Sequence, residues 1–138
     1  MSVMEAKICG LSDRAGVEAA LAGGARYLGF VFFPKSPRNV TPEQAGALAR
    51  PASGRADTVA VTVNADDAQL AAIAAGLAPD WIQLHGAETP ARVAAARRFA
   101  RKGVIRALGV ARAADLEGLD AYAAPRSVAT PVVETVRT

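Results

Sequence analysis

The sequence predicts an α/β domain, about five consecutive strand–helix units of parallel sheet followed by an irregular tail. Three observations carry that reading. Short β-rich runs alternate with longer stretches whose apolar residues recur every three or four positions. The runs begin near positions 7, 27, 58, 81 and 104, at intervals of 20, 31, 23 and 23 residues, the spacing of strand–helix units joined by right-handed crossovers. The second and third runs are almost continuously apolar, which suits parallel strands covered on both faces better than a sheet with one wet face.

The strand runs are residues 6–10, 26–33, 58–63, 80–84 and 103–108, each bounded by Gly, Pro, Asn or Asp. A first helix is marked by Val17, Ala20 and Leu21, and a second by Ala45, Leu48 and Ala49. Leu70, Ile73, Ala74 and Leu77 mark a third, Val93, Ala96 and Ala100 a fourth, and Leu116, Leu119 and Ala123 a fifth. Thr41-Pro42-Glu43-Gln44 offers a cap hydroxyl, a proline at the first helical position and a glutamine that can reach back to the cap. Thr89-Pro90 repeats the cap and proline, and Asn64 is the expected cap of the third helix. The pattern stops at Ala124, so residues 1–124 are assigned to the domain and 125–138 to an irregular tail. Its short β-branched run at Val132 and Val133 leaves an edge strand as the alternative.

Composition narrows the function. With 138 residues, 51% hydrophobic and 21% charged, the chain has the material for one well-filled core. Its basic residues are scattered, the net charge is only +3 and aromatics are 5%, so a nucleic-acid partner is not expected. One cysteine allows no internal disulfide, no leader pattern opens the chain, and no apolar run approaches the roughly 18 residues of a membrane span. A cytoplasmic location without membrane contact is the expectation. A complete eight-unit α/β barrel needs at least about 200 residues, so 138 residues cannot form a whole one.

Five such units fit either an open doubly wound sheet or a segment of a barrel, and both place chemistry at the C-terminal ends of the strands. No G-x-G pair and no glycine-rich loop ending in Lys-Ser or Lys-Thr is present, so neither a dinucleotide nor a nucleoside triphosphate is expected. Cys9 ends the first run and is followed by Gly10. A lone cysteine is usually a small buried hydrophobe, but a glycine beside it lets a ligand or loop come close. Arg38 closes the turn Pro34-Lys35-Ser36-Pro37-Arg38, either a rigid surface turn or a guanidinium fork for a carboxylate. Gln83 and His85 lie at the end of the fourth run, and a single histidine gives no metal site. Arg106, inside the fifth run, needs an anionic partner if it points inward. Arg92, Arg97, Arg98, Arg101 and Lys102 read as a solvated helix face.

Taken together, Lys7-Ile8-Cys9-Gly10-Leu11, Gly29-Phe30-Val31-Phe32 leading into Pro34–Arg38, Val61-Thr62-Val63-Asn64 and Gln83-Leu84-His85-Gly86 resemble phosphoribosylanthranilate isomerase, in that family's order and spacing. The resemblance runs from about Ala6 to Ala124. It implies an incomplete (βα)8 TIM barrel and an isomerase of tryptophan biosynthesis, an intramolecular oxidoreductase that works without metal or cofactor. The implied reaction converts N-(5-phosphoribosyl)anthranilate to 1-(2-carboxyphenylamino)-1-deoxyribulose 5-phosphate by an Amadori rearrangement. By this resemblance Cys9 is the general base. A thiol acts only as thiolate, and Lys7, two residues away on the same strand face, supplies positive charge. Arg38 matches the arginine that contacts the anthranilate part of the substrate. Gln83 and His85 match a strand end that lines the pocket, and Arg106 is taken as a further substrate-binding residue.

The family's general acid is an aspartate at the end of the sixth strand, and glycine-containing loops after the seventh and eighth hold the phosphate. From Pro125 onward the chain has neither aspartate nor glycine, so no residue is expected to inherit the acid role. The abrupt loss of pattern resembles a truncated or frame-shifted coding sequence. A homo-oligomer or a complementing C-terminal half-barrel is the expected cover for strand edges left open, with a non-catalytic interaction or phosphosugar-binding fragment as the alternative function.

Overall fold

Six parallel strands follow one another around the sheet in the order in which they occur in the sequence. The computed structural model describes residues 4–122 and 132–134. Its strands are β1 (Lys7–Ile8), β2 (Tyr27–Phe32), β3 (Asp57–Thr62), β4 (Trp81–Leu84), β5 (Gly103–Gly109) and β6 (Val132–Glu134), arranged β1-β2-β3-β4-β5-β6. All pairings are parallel. A doubly wound sheet must reverse its order at a switch point, whereas a barrel advances in one direction. The unreversed order therefore selects the barrel arc.

Between the strands lie α1 (Arg14–Ala22), α2 (Pro42–Ala49), α3 (Asp67–Gly76) and α4 (Pro90–Ala96). The Thr41 capping box forms as the sequence suggests: its hydroxyl accepts from the Gln44 amide at 3.2 Å, and the Gln44 side chain accepts from the Thr41 amide at 2.9 Å. Thr89 likewise caps α4 by accepting from the Arg92 amide.

Three expectations need correction. Asp66, not Asn64, caps α3, accepting from the Gln69 amide at 2.8 Å. Asn64 is in the left-handed region (φ 48) and spends its side-chain oxygen on the Ala87 amide instead. The fifth helix is replaced by two 3-10 turns, Ala113–Leu116 and Leu119–Tyr122. Between them, extended Glu117 and Gly118 at φ 79 break any continuous ladder of helical hydrogen bonds; Ala123 lies outside the described residues. Within the tail, Val132–Glu134 takes the edge-strand form rather than an irregular one, extending the sheet beyond β5. Two β-branched residues meeting the otherwise open N–H and C=O groups of β5 account for it. The rest of 125–138 lies outside the described residues.

Alternation along the strands divides the buried residues into two layers. On the outer face, Leu28, Phe30, Ile82 and Leu84 pack with Val17, Leu70 and Ile73 of the helices. On the inner face Val59, Val61 and Ile105 cluster with half-buried Tyr27, Val31 and Trp81. α2 and α3 approach so closely that a Cβ on Gly46 would stand 2.1 Å from the Gly76 carbonyl oxygen. Gly46→Ala should therefore cost about 1 to 3 kcal/mol, read as a lower denaturation midpoint with an unchanged slope.

At the N-terminal end of the strands, Asp57 accepts from Lys102 Nζ at 2.7 and 2.8 Å and from Trp81 Nε1 at 3.0 Å. Burial pushes its carboxyl up, but the hydrogen bonds and charge of Lys102, with Trp81 and Arg26, outweigh that and hold it below its ordinary value. A carboxyl depressed in the folded state stabilises fully above its unfolded pKa and loses that contribution as pH falls through the folded one. Asp57→Asn should lower stability at neutral pH by roughly 1 to 3 kcal/mol. It should also flatten the loss of stability below about pH 4 in an acid titration followed by fluorescence.

Candidate active site at the C-terminal rim

Strand register decides which predicted residues meet. Lys7 pairs with Tyr27, Tyr27 with Asp57, Val61 with Gln83, and Gln83 with Ile105. Lys7 and Gln83 therefore lie on the inner face, and Cys9, two residues after Lys7, continues its row. Lys7 Nζ donates to Gln83 Oε1, joining β1 to β4 across the concave side. Gln83 is fully buried, which fixes the acceptor and so the ammonium.

Cys9 is exposed at the rim. It fits against β2 because position 29 is glycine: a Cβ there would stand 3.1 Å from Cys9 Cα and 3.3 Å from its Sγ. Beyond it the backbone turns at Gly10, φ 80, whose amide donates to the Gly29 carbonyl at 3.0 Å. The Arg38 side chain lies directly over Gly10, and a Cβ at position 10 would come within 2.6 to 2.9 Å of its Cδ, Nη1 and Nε. The turn before Arg38 is braced by Ser36, whose hydroxyl accepts from the Arg38 amide at 3.2 Å. Thus the thiol, a guanidinium and a tethered ammonium occupy one rim, the end at which barrels carry their chemistry.

His85, also exposed, lies just past β4 with its amide donating to the Thr62 carbonyl at 2.9 Å. Arg106 is placed elsewhere. It pairs with Leu84, on the outer row, and its Nη1 donates to Glu88 Oε2 at 3.1 Å and to the carbonyls of Leu84 and Ala107 at 3.0 Å. The anionic partner that a buried arginine needs is therefore Glu88, which the sequence reading passed over. Its spacing after Gln83 and His85 offered no periodic signal, because its partners Arg106 and Asn64 are 18 and 24 residues distant.

Arg98 is exposed as expected of a solvated face and Arg92 is half-buried, and both pair with Asp67. Together they hold the Asp67 carboxyl below its ordinary value, Arg92's hydrogen bond contributing most. Glu134 ends β6, its backbone in register with Gly109. A cavity of about 510 Å³ opens at the other end of the sheet, between Arg26, Arg50, Asp57 and Lys102, away from this rim. Among the described residues no group of three or more His, Cys, Asp and Glu side chains comes together to hold a metal ion, and no helix is long and apolar enough to cross a membrane.

Sequential parallel strands with polar side chains gathered at their C-terminal rim define an arc of a (βα)8 barrel. A family model for N-(5'phosphoribosyl)anthranilate (PRA) isomerase matches residues 6–136, and the chain belongs to that family. The N-(5'-phosphoribosyl)anthranilate isomerase of Rhizobium meliloti (strain 1021) is 52% identical over 118 residues, covering 86% of this chain and 55% of that protein. The crystal structure of mutually generated monomers of the dimeric phosphoribosylanthranilate isomerase from Thermotoga maritima matches with a TM-score of 0.76 at 29% identity. It covers 87% of this chain and 60% of that one. A phosphoribosylanthranilate isomerase complexed with reduced 1-(o-carboxyphenylamino)-1-deoxyribulose 5-phosphate matches with a TM-score of 0.77 at 30% identity, over 83% of this chain and 58% of that one. The chain thus spans somewhat more than half the length of these relatives.

Gly10→Ala should disturb this rim in two ways, through a left-handed alanine and through displacement of Arg38. We expect a stability loss of about 1 to 2 kcal/mol in denaturant. A shifted Arg38 Nε–Hε resonance should accompany it; an unmoved resonance would detach Arg38 from Gly10.

Proposed function

We propose that this chain carries the base-side half of a phosphoribosylanthranilate isomerase site. The observation that supports it best is the meeting of Cys9, Arg38 and the Lys7–Gln83 pair at one rim. The reaction is a pair of proton transfers. An acid protonates the ribose ring oxygen so that the C1–O bond breaks and an iminium forms. The Cys9 thiolate then takes the proton from C2, giving an enol that ketonises to the aminodeoxyribulose. The Arg38 fork receives the anthranilate carboxylate. Gln83 orients Lys7, and His85 lines the same rim.

The acid step is assigned to no described residue of this chain. The substrate's phosphate is left to barrel units that follow β6 in the family. A soluble phosphosugar substrate and a single reduced cysteine suit the cytoplasm.

The test is turnover of N-(5-phosphoribosyl)anthranilate by the chain alone and with a relative's sixth to eighth units added as a separate polypeptide. The account expects no turnover alone and measurable turnover with the added units. In the complemented enzyme Cys9→Ser should reduce kcat by about a hundredfold or more. Undiminished kcat in Cys9→Ser would remove it as base. Absence of turnover in the complemented parent would favour a non-catalytic binding fragment.

A further inference from the structure

Glu88 is among the most heavily bonded carboxylates in the described structure, although it lies outside the row that holds Cys9. Its side chain is 2% exposed. Oε1 accepts from the Asn64 amide at 2.9 Å, and Oε2 accepts from the Gly86 amide at 2.9 Å and from Arg106 Nη1 at 3.1 Å. Its backbone carbonyl accepts from the Tyr122 hydroxyl at 3.3 Å. One residue thereby joins the segments that follow β3, β4 and β5, all at the catalytic end of the sheet.

A hydrophobic side chain of equal volume could fill this space at similar or lower cost, because desolvating a buried ion pair offsets most of its attraction. What a hydrophobic side chain cannot do is accept from two loop amides at once. The two loops are pressed together where this happens: a Cβ on Gly86 would stand 2.4 Å from Asn64 Oδ1 and 2.8 Å from Asn64 N. Asn64, held at φ 48, returns a bond from its side-chain oxygen to the Ala87 amide at 2.8 Å. His85 is the residue immediately before Gly86, so the geometry that fixes Gly86 also fixes the direction in which His85 leaves β4. Arg106 is anchored on Leu84 and Ala107 by their carbonyls and stacks over Tyr122 at 5.7 Å. Its Nε is buried without a hydrogen-bond partner among the described residues. The guanidinium is thus set to hold the carboxylate, at the cost of one unmet donor.

We propose that Glu88 is a positioning residue for this site, its carboxylate locked by Arg106 so that it clamps the loops at Asn64 and Gly86 and sets the orientation of His85. The inference rests on the reading of this rim as the isomerase site, but its test needs no turnover, so the two fail separately. The chain has one histidine, and its imidazole NMR signals report on position 85 alone. In Glu88→Gln, amide hydrogen exchange at Asn64 and Gly86 should accelerate about tenfold or more. The His85 signals should shift, while the Ala60 and Ile82 amides in the strands remain protected.

The double variant Glu88→Gln/Arg106→Met separates positioning from bulk stability, because it no longer buries an unpaired guanidinium. Its unfolding midpoint should recover toward that of the parent while the Asn64 and Gly86 amides remain unprotected and His85 remains displaced. Recovery of loop protection together with the midpoint would overturn the proposal. So would parent-like exchange and His85 signals in Glu88→Gln.

Discussion

The parity of the parallel register is the constraint on which the rest of this structure depends. Successive residues of a strand face opposite sides, and parallel pairing carries that alternation unchanged from strand to strand. Once Lys7 pairs with Tyr27 and Gln83 with Ile105, the inner row is settled. Lys7 and Gln83 belong to it, while Leu84 and Arg106 turn toward the helices. A slip of one residue between any two strands would place the outer-row leucines in the concavity and the Lys7–Gln83 bond among apolar helix contacts. The packing of Leu28, Phe30, Ile82 and Leu84 against the helices opposes such a slip, so the hydrophobic layer is also what aligns the chemistry.

The two faces do different work at the catalytic end. On the inner face the Cys9 thiol remains accessible, and close approach is arranged by missing side chains, with Gly29 beside Cys9 and Gly10 beneath Arg38. On the outer face the polar groups are sealed. The Glu88–Arg106 pair takes up loop amides that would otherwise be buried without partners, and an orphaned buried donor is costly. Asp57 performs a comparable service at the other end, drawing Lys102 and Trp81 together under the inner apolar cluster.

Much of the fold could be read from the sequence because the strands are apolar on both sides and their helices begin with strong caps. The five runs and four of the helices stand where spacing and the Thr41 and Thr89 signals put them. The fifth helix misled because Leu116 and Leu119 have helical spacing while Gly118 between them adopts a positive φ. Arg106 misled for a related reason: an uninterrupted apolar run does not reveal which face its one charge takes. Its partner Glu88 belongs to a different segment, and pairing across 18 residues leaves no local pattern. The Cys9, Arg38 and Gln83 motifs were legible through family resemblance, and the structure adds how they are held. The sixth strand was less so, since three residues are too short for any periodic signal.

The central claim is that Cys9 and Arg38 form one ligand site in this chain. Because the chain has a single cysteine, its alkylation rate by iodoacetamide reports directly on that position. The rate should fall as reduced 1-(o-carboxyphenylamino)-1-deoxyribulose 5-phosphate is added to the chain supplemented with a relative's C-terminal barrel units. In Arg38→Lys the protection should require markedly more of the ligand, because an ammonium cannot reproduce a two-pronged carboxylate contact. A Cys9 rate unaffected by saturating ligand would contradict the account.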